Sequence, residues 1–238
     1  MFKRVSCLIA VIMASVAFTG SNINAAGKYQ WKAEGIKDGS MVYTSPVAGK
    51  EYIAARAVRV IPARMEVIGM VLRDVENYNK WMKDCTQTKI LKVVDDKNDT
   101  FIVWFHQHVM LLTDRDMVLK SFVKLDYPNG KSEITAVSTK EMDYDSGKKL
   151  VRMPTFYSHF LLEWIDREHT RVTFTIDPDL DKGVPIGIAN STIKGIPGKS
   201  LEGLAKMVKK KDYIESAKIS KYNKMINDNI KKGYLKEN

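Results

Sequence analysis

Hydrophobic and polar positions alternate most clearly between Asp99 and Val123. Phe101, Val103, Phe105, Gln107 and Val109 fall on one face of a first strand, because side chains alternate along a strand. A short polar turn at Thr113-Asp114 follows. Met117, Leu119, Ser121 and Val123 then share one face of a second strand, with Lys120 and Lys124 on the other. That second alternation is the pattern of a half-buried strand. The first strand is apolar on both faces, so each face needs cover. A sheet with one long apolar face takes a covering helix or an apolar ligand.

The rest of the chain supplies more strands and few helices. Trp31 to Gly39 reads as a mixed lead-in. Met41 to Pro46 and Tyr52 to Ile61 read as strands; Pro62 ends the second and suits a helix start. Met65, Ile68, Val71 and Leu72 recur at helical spacing and predict a helix to about Arg73. The stretch Asp74 to Trp81 follows it. Thr88 to Val94 is a strand, and Asp95 to Asp99 a hairpin turn. After the central pair, Tyr127-Pro128-Asn129-Gly130 is a strong turn signal. Ser132 to Thr139 continues as a strand, and Asp143 to Gly147 is a solvated turn. Leu150 to Phe156 and His159 to Ile165 are strands interrupted near Pro154. Asp166 to His169 turns the chain into Arg171 to Ile176, where Val172, Phe174 and Ile176 share a face.

Beyond Asp177-Pro178 the period changes. Gly183 to Pro185 opens a helical region with Ala189, Ile193, Ile196, Leu204 and Val208 near one face. Pro197-Gly198 is expected to kink it. From Lys206 onward ten Lys stand against four acids. No repeat and no Gly/Ser-rich linker divides the chain. The expected architecture is α+β, a curved antiparallel sheet gripping a long C-terminal helix. Such a sheet cannot close on one helix, so it leaves a cavity, and a mostly apolar lining selects an apolar ligand. The expected divisions are a leader over residues 1–26, a domain over 27–210 and a basic helical tail over 211–238.

The leader is read from its pattern. Phe2-Lys3-Arg4 is basic, Val5 to Gly20 is apolar, and Ser21 to Ala26 ends in small residues. This is a secretory signal peptide pattern, with cleavage after Ala25 or Ala26 and a retained membrane anchor as the alternative. The expected location is exported, in the periplasm. Removing Lys3 and Arg4 takes the formal charge from +10 to +8. A basic exported protein suits contact with anionic lipid surfaces and makes nucleic acid a poor partner. Cys7 leaves with the leader, so Cys85 remains without a disulfide partner, and the core must hold the fold. No cation neighbours Cys85 in sequence, which favours a structural thiol over a nucleophile.

Several pieces, taken in order, resemble the START family, the steroidogenic acute regulatory-related lipid-transfer domains. They are Trp81 after the first helix, Arg115-Asp116 in "DRDMV", Val151-Arg152, and Asp177-Pro178, Gly183, Pro185 and Asn190 leading into the last long helix. The resemblance spans roughly Trp31 to Lys210. It implies a helix-grip fold enclosing one hydrophobic ligand, a sterol, phospholipid or other lipid, with no catalysis, and entry past the C-terminal helix. Some sterol-binding relatives carry an acid and an arginine in the cavity. Those positions fall on Phe105 and Ser121, so both charges are missing together, as mutual compensation demands. Ser121 and Gln107 remain as hydrogen-bonding groups for a neutral or weakly polar lipid.

The expected ligand lining is therefore Phe101, Val103, Phe105, Gln107, Met117, Leu119, Ser121, Phe174, Ile193, Ile196 and Leu204. Leu201, Leu204 and Met207 could serve both lid and core. Arg115 and Asp116 are expected to be a structural ion pair rather than a catalytic one. His106 and His108 share a strand face, and with His159 they offer a loose metal set; outer-face polar positions are the favoured reading. No cofactor, metal or catalytic residue is expected. An enzyme of cyclase or hydrolase type on the same fold is one alternative. An interaction module with a filled interior is another.

Overall fold

The computed structural model describes residues 28–109, 112–180 and 183–237. The signal peptide reading of residues 1–26 lies outside the described residues. Among these, ten strands form one open, mostly antiparallel sheet: β1 (Lys32–Lys37), β2 (Ser40–Ser45), β3 (Ala54–Ile61), β4 (Cys85–Asp95), β5 (Thr100–Gln107), β6 (Arg115–Asp126), β7 (Lys131–Ser138), β8 (Val151–Arg152), β9 (Thr155–Trp164) and β10 (Thr170–Asp179). Their order across the sheet is β1-β2-β3-β10-β9-β7-β6-β5-β4, and β8 runs parallel to the start of β6. Four helices complete the chain: α1 (Met65–Arg73), α2 (Ile186–Met207), α3 (Lys211–Lys218) and α4 (Lys221–Lys231). The fold is the expected α+β helix-grip architecture, with α2 laid across β2, β3 and β10.

Local chemistry explains the central elements. In β5 and β6, Phe105 faces Met117, Val103 faces Leu119 and Phe101 faces Ser121 across the ladder. One side of this pair looks into the molecule. On the other side Ile102, Trp104 and Val118 form a separate buried cluster, covered by Leu91, Met142, Tyr144 and Leu150. The Asp143 to Gly147 stretch is thus not only a solvated turn; Tyr144 packs its ring 5.2 Å from that of Trp104. Both faces of β5 are covered, as its composition requires. In α1 the buried Met65, Ile68, Val71 and Leu72 form one stripe toward the core.

Two features depart from the sequence reading. The lead-in is strand β1, whose residues are almost all exposed. An edge strand carrying Lys32, Glu34 and Lys37 buries too little to show alternation. The expected long helix, α2, runs from Ile186 to Met207 with Pro197 inside. Gly198 follows it and lets the helix approach Val42 and the Lys37 carbonyl. Second, the Lys-rich tail is not a solvated extension. It folds back as α3 and α4 on α1, burying Ala217, Tyr222, Ile226 and Leu235. The Tyr213 hydroxyl donates to Asp74 at 2.7 Å, and the Trp164 indole N–H donates to the Lys236 carbonyl at 3.0 Å. Four apolar contacts scattered among lysines give only a faint period, so composition hid the packing.

Candidate ligand cavity

Beneath α2 and against the inner faces of β5, β6, β7, β9 and β10 lies a mostly apolar cavity of about 730 Å³, its open mouth included. Val103, Phe105, Gln107, Met117, Leu119, Ser121, Phe174 and Ile196 line it, all expected lining positions. Phe101 instead lines a second, adjoining cavity of about 510 Å³, its open mouth included. Ile193 and Leu204 line neither; both are fully buried in the core. Helical period puts them on one stripe with Ile196, but their side chains are packed into the core. Those two placements are corrections.

The sequence reading missed the other half of the wall. Tyr78 and Met82 come from the stretch between α1 and β4, Cys85 from the start of β4, and Ile134, Phe156, Ser158 and Phe160 from β7 and β9. Phe160 and Phe174 are cross-strand partners whose rings stack 3.9 Å apart, 4° from parallel. Tyr78 sets its ring edge-on to Phe105 at 5.8 Å and to Trp81 at 4.8 Å. Its hydroxyl donates to the Leu72 carbonyl at 2.5 Å, and burial pushes the phenol far above its ordinary range. The signal available for β9 was its alternation; with a proline nearby, its inward face was not assignable.

The polar groups in the wall are few. Gln107, Ser121 and Ser158 supply a carboxamide and two hydroxyls. Burial pushes the Cys85 thiol up to about 12, so it stays protonated at neutral pH. Lys83 and His106 also line the cavity, and Lys83 pairs with Asp84. His106 and His108 share one carboxylate, each 2.8 Å from an oxygen of Asp114. Burial pushes that carboxyl up, but the bonds from His106, the Val109 N–H and His108 together hold it below the usual range. His159 is bonded to Glu133 at 3.0 Å, apart from the other two imidazoles. Among the described residues no group of three or more His, Cys, Asp or Glu is arranged to hold a metal ion.

Arg115 and Asp116 are structural, but not as a pair with each other. Neighbours on a strand point to opposite faces. Asp116 takes Arg152 and the Trp104 indole as partners, while Arg115 donates to the Thr113 carbonyl.

A seam joins α2 to the segment after α1. The Lys83 N–H donates to the Ser200 hydroxyl at 3.1 Å. Beside it Gly203 sits so close to Trp81 that a Cβ there would lie 2.2 Å from the Trp81 carbonyl oxygen. Ile196 hangs from the same helix into the cavity. Moving α2 away from this seam would uncover the lining.

Comparison with known proteins agrees with this geometry. A START domain matches residues 22–212. An uncharacterized protein of Pseudomonas aeruginosa is 25% identical over 207 residues, 86% of this chain and 98% of its own length. A STAR-related lipid transfer protein fragment from Xanthomonas axonopodis superposes with a TM-score of 0.66 at 20% identity, covering 76% of this chain and 99% of that one. Human STARD10 gives a TM-score of 0.67 at 17% identity, covering 78% and 76%. At such identities the solved structures speak for the fold alone. The family match spans most of the chain, from before β1 through α2, and the chain belongs to the START domain family.

Proposed function

We propose that this protein binds one lipid in the cavity beneath α2 and carries it between membranes of the exported space. The observation that carries the reading is the cavity itself, walled mainly by aromatic and aliphatic side chains, with Gln107, Ser121 and Ser158 as uncharged polar groups and with Lys83 and His106 already held by Asp84 and Asp114. Such a wall favours an apolar body with a small polar function. A buried charge would lack compensation there. Removing apolar surface from water contributes about 25 cal/mol per Å², so burying about 300 Å² of ligand gives roughly 7–8 kcal/mol gross. That is the scale of micromolar binding before ordering costs are subtracted.

Binding rather than catalysis fits the titratable groups near the wall. Lys83 is held by Asp84 and His106 by Asp114, the Tyr78 hydroxyl is engaged by the Leu72 carbonyl, and the Cys85 thiol is raised. None of these is placed as a nucleophile beside a base. Export rests on the basic, apolar and small-residue order of the leader. Contact with anionic membrane is supported by the exposed Lys209, Lys210 and Lys211 at the α2–α3 junction, and by Ile219, 89% exposed, at the α3–α4 corner.

A vesicle assay tests the reading. The purified chain should speed transfer of a fluorescent phospholipid from donor to acceptor vesicles, more so when both contain anionic lipid. Replacing Lys209, Lys210 and Lys211 by Glu should remove the anionic preference. A transfer rate equal to the protein-free rate, with no lipid extractable from the purified protein, would contradict it.

A further inference from the structure

The two cavities adjoin and share part of their walls. Val75, Ser121 and Ile134 line both. Along β6 the first cavity takes Met117, Leu119 and Ser121, and the second takes Ser121, Val123 and Leu125. Along β5 the same direction runs from Gln107 to Phe101. Eight residue steps from Met117 to Leu125 make a strand path of roughly 26 Å at about 3.3 Å each. From this arrangement we infer that the two cavities are compartments of one elongated channel, and that the ligand is a lipid with a long linear hydrocarbon chain rather than a compact ring system. The inference rests on the reading above that the first cavity holds a hydrophobic ligand.

The channel has a direction. Its near compartment carries the carboxamide of Gln107 and the Ser158 hydroxyl, neither with a hydrogen-bond partner among the described residues. Its far compartment ends at Asp99, whose oxygens are already satisfied. Oδ1 accepts from Arg73 Nε at 2.8 Å, and Oδ2 accepts from the Tyr222 hydroxyl at 2.5 Å, with Lys221 Nζ 3.0 Å away. A carboxylate so engaged is an end wall, not a receptor for a polar ligand group. The polar end of the ligand belongs at Gln107 and its tail at the Asp99 end. Tyr222, which closes that end, comes from α4, outside the stretch that matches the family. The C-terminal segment therefore roofs the far half of the site.

Gly69 supports the assignment. It lies inside α1 and lines the far compartment, where an added Cβ would meet nothing within 4 Å. Glycine in a helix interior is destabilising relative to alanine, so this position leaves open space on the channel side at a cost to the helix.

The test is a chain-length series. Straight-chain fatty alcohols of increasing length are titrated against the full chain with displacement of a fluorescent apolar dye. Each methylene that enters the channel should tighten binding about fourfold. In the wild type the affinity should keep rising until the far compartment is filled. In Gly69→Leu the rise should stop several carbons earlier. Val123→Phe, from the facing wall, should stop it likewise and covers the case where Gly69→Leu fails to fold. An identical length dependence in wild type and in the folded variants would overturn the channel, while dye displacement by the shorter alcohols would leave the lipid-binding reading standing. Failure of every alcohol to displace the dye, with no lipid extractable, would overturn both.

Discussion

Arg152 grips Asp116 through two parallel hydrogen bonds, Nε to Oδ1 at 2.8 Å and Nη2 to Oδ2 at 2.9 Å. The two residues belong to motifs 36 positions apart in sequence. Strand β8 brings them together by pairing parallel to the start of β6, with Asp116 opposite Arg152. The same carboxylate accepts the Trp104 indole N–H at 2.8 Å, and Arg152 also donates to the Tyr144 carbonyl. This cluster closes the outer face of β5, so the inner face can remain a cavity wall.

Truncating the arginine tests that role. The Arg152 side chain is 42% exposed while Asp116 is nearly buried, so the pair is worth less than a fully buried one. Arg152→Ala should lower unfolding stability by about 1–2 kcal/mol, with Arg152→Lys recovering only part, because a lysine cannot make the two-pronged contact. Urea denaturation followed by tryptophan fluorescence measures it; an unchanged midpoint for Arg152→Ala would show the cluster to be idle.

Two glycines in helices should answer alanine with opposite signs. At an open helix position alanine is about 1 kcal/mol better than glycine. Gly69→Ala should therefore stabilise by about 0.5–1 kcal/mol. Gly203→Ala places its Cβ against the Trp81 backbone carbonyl. Neither α2 nor the Trp81 segment can give way cheaply, and a loss of about 2 kcal/mol is expected. Thermal unfolding of both variants against the parent gives the two signs, and a stabilising Gly203→Ala would refute the close seam.

Asp177 gives a pH dependence. Its carboxylate accepts from Lys28 at 2.6 Å, Lys50 at 2.7 Å and the Tyr29 hydroxyl at 2.9 Å. Burial pushes its pKa up, but these three bonds outweigh burial and hold it below the ordinary value. A depressed folded-state pKa means the stabilisation is present above the unfolded-state pKa, about 3.9. It is lost as pH falls through the folded-state value. Asp177→Asn should cost stability at neutral pH and flatten the acid limb below about pH 4. Parallel curves for parent and variant down to acid pH would contradict this.

Much of the architecture was legible because strand alternation and turn chemistry are local. Spacing put Phe105 and Gln107 on one face of β5 and Leu119 and Ser121 on one face of β6, and the family resemblance turned those faces toward the cavity. Tyr78 and Phe160 could not be placed, because which side of the 75–80 turn or of β9 faces inward depends on the curl of the whole sheet. Helix spacing put Ile193, Ile196 and Leu204 on one stripe, yet only Ile196 overhangs the gap. β1 was silent because an exposed edge strand has no buried face to alternate. The tail misled through charge: its lysines outnumber Tyr222 and Ile226, which alone decide that α4 docks.

The central claim is that the space beneath α2 holds a lipid. Native mass spectrometry of the purified protein tests it directly, with Phe105→Arg as the comparison, since that change puts a cation among Tyr78, Met117 and Leu119. The account predicts a wild-type mass above that of the polypeptide by one lipid, released into organic solvent, and a bare mass for the folded Phe105→Arg variant. A wild-type mass equal to the polypeptide alone after exposure to lipid extracts, or a variant that retains the same adduct, would contradict it.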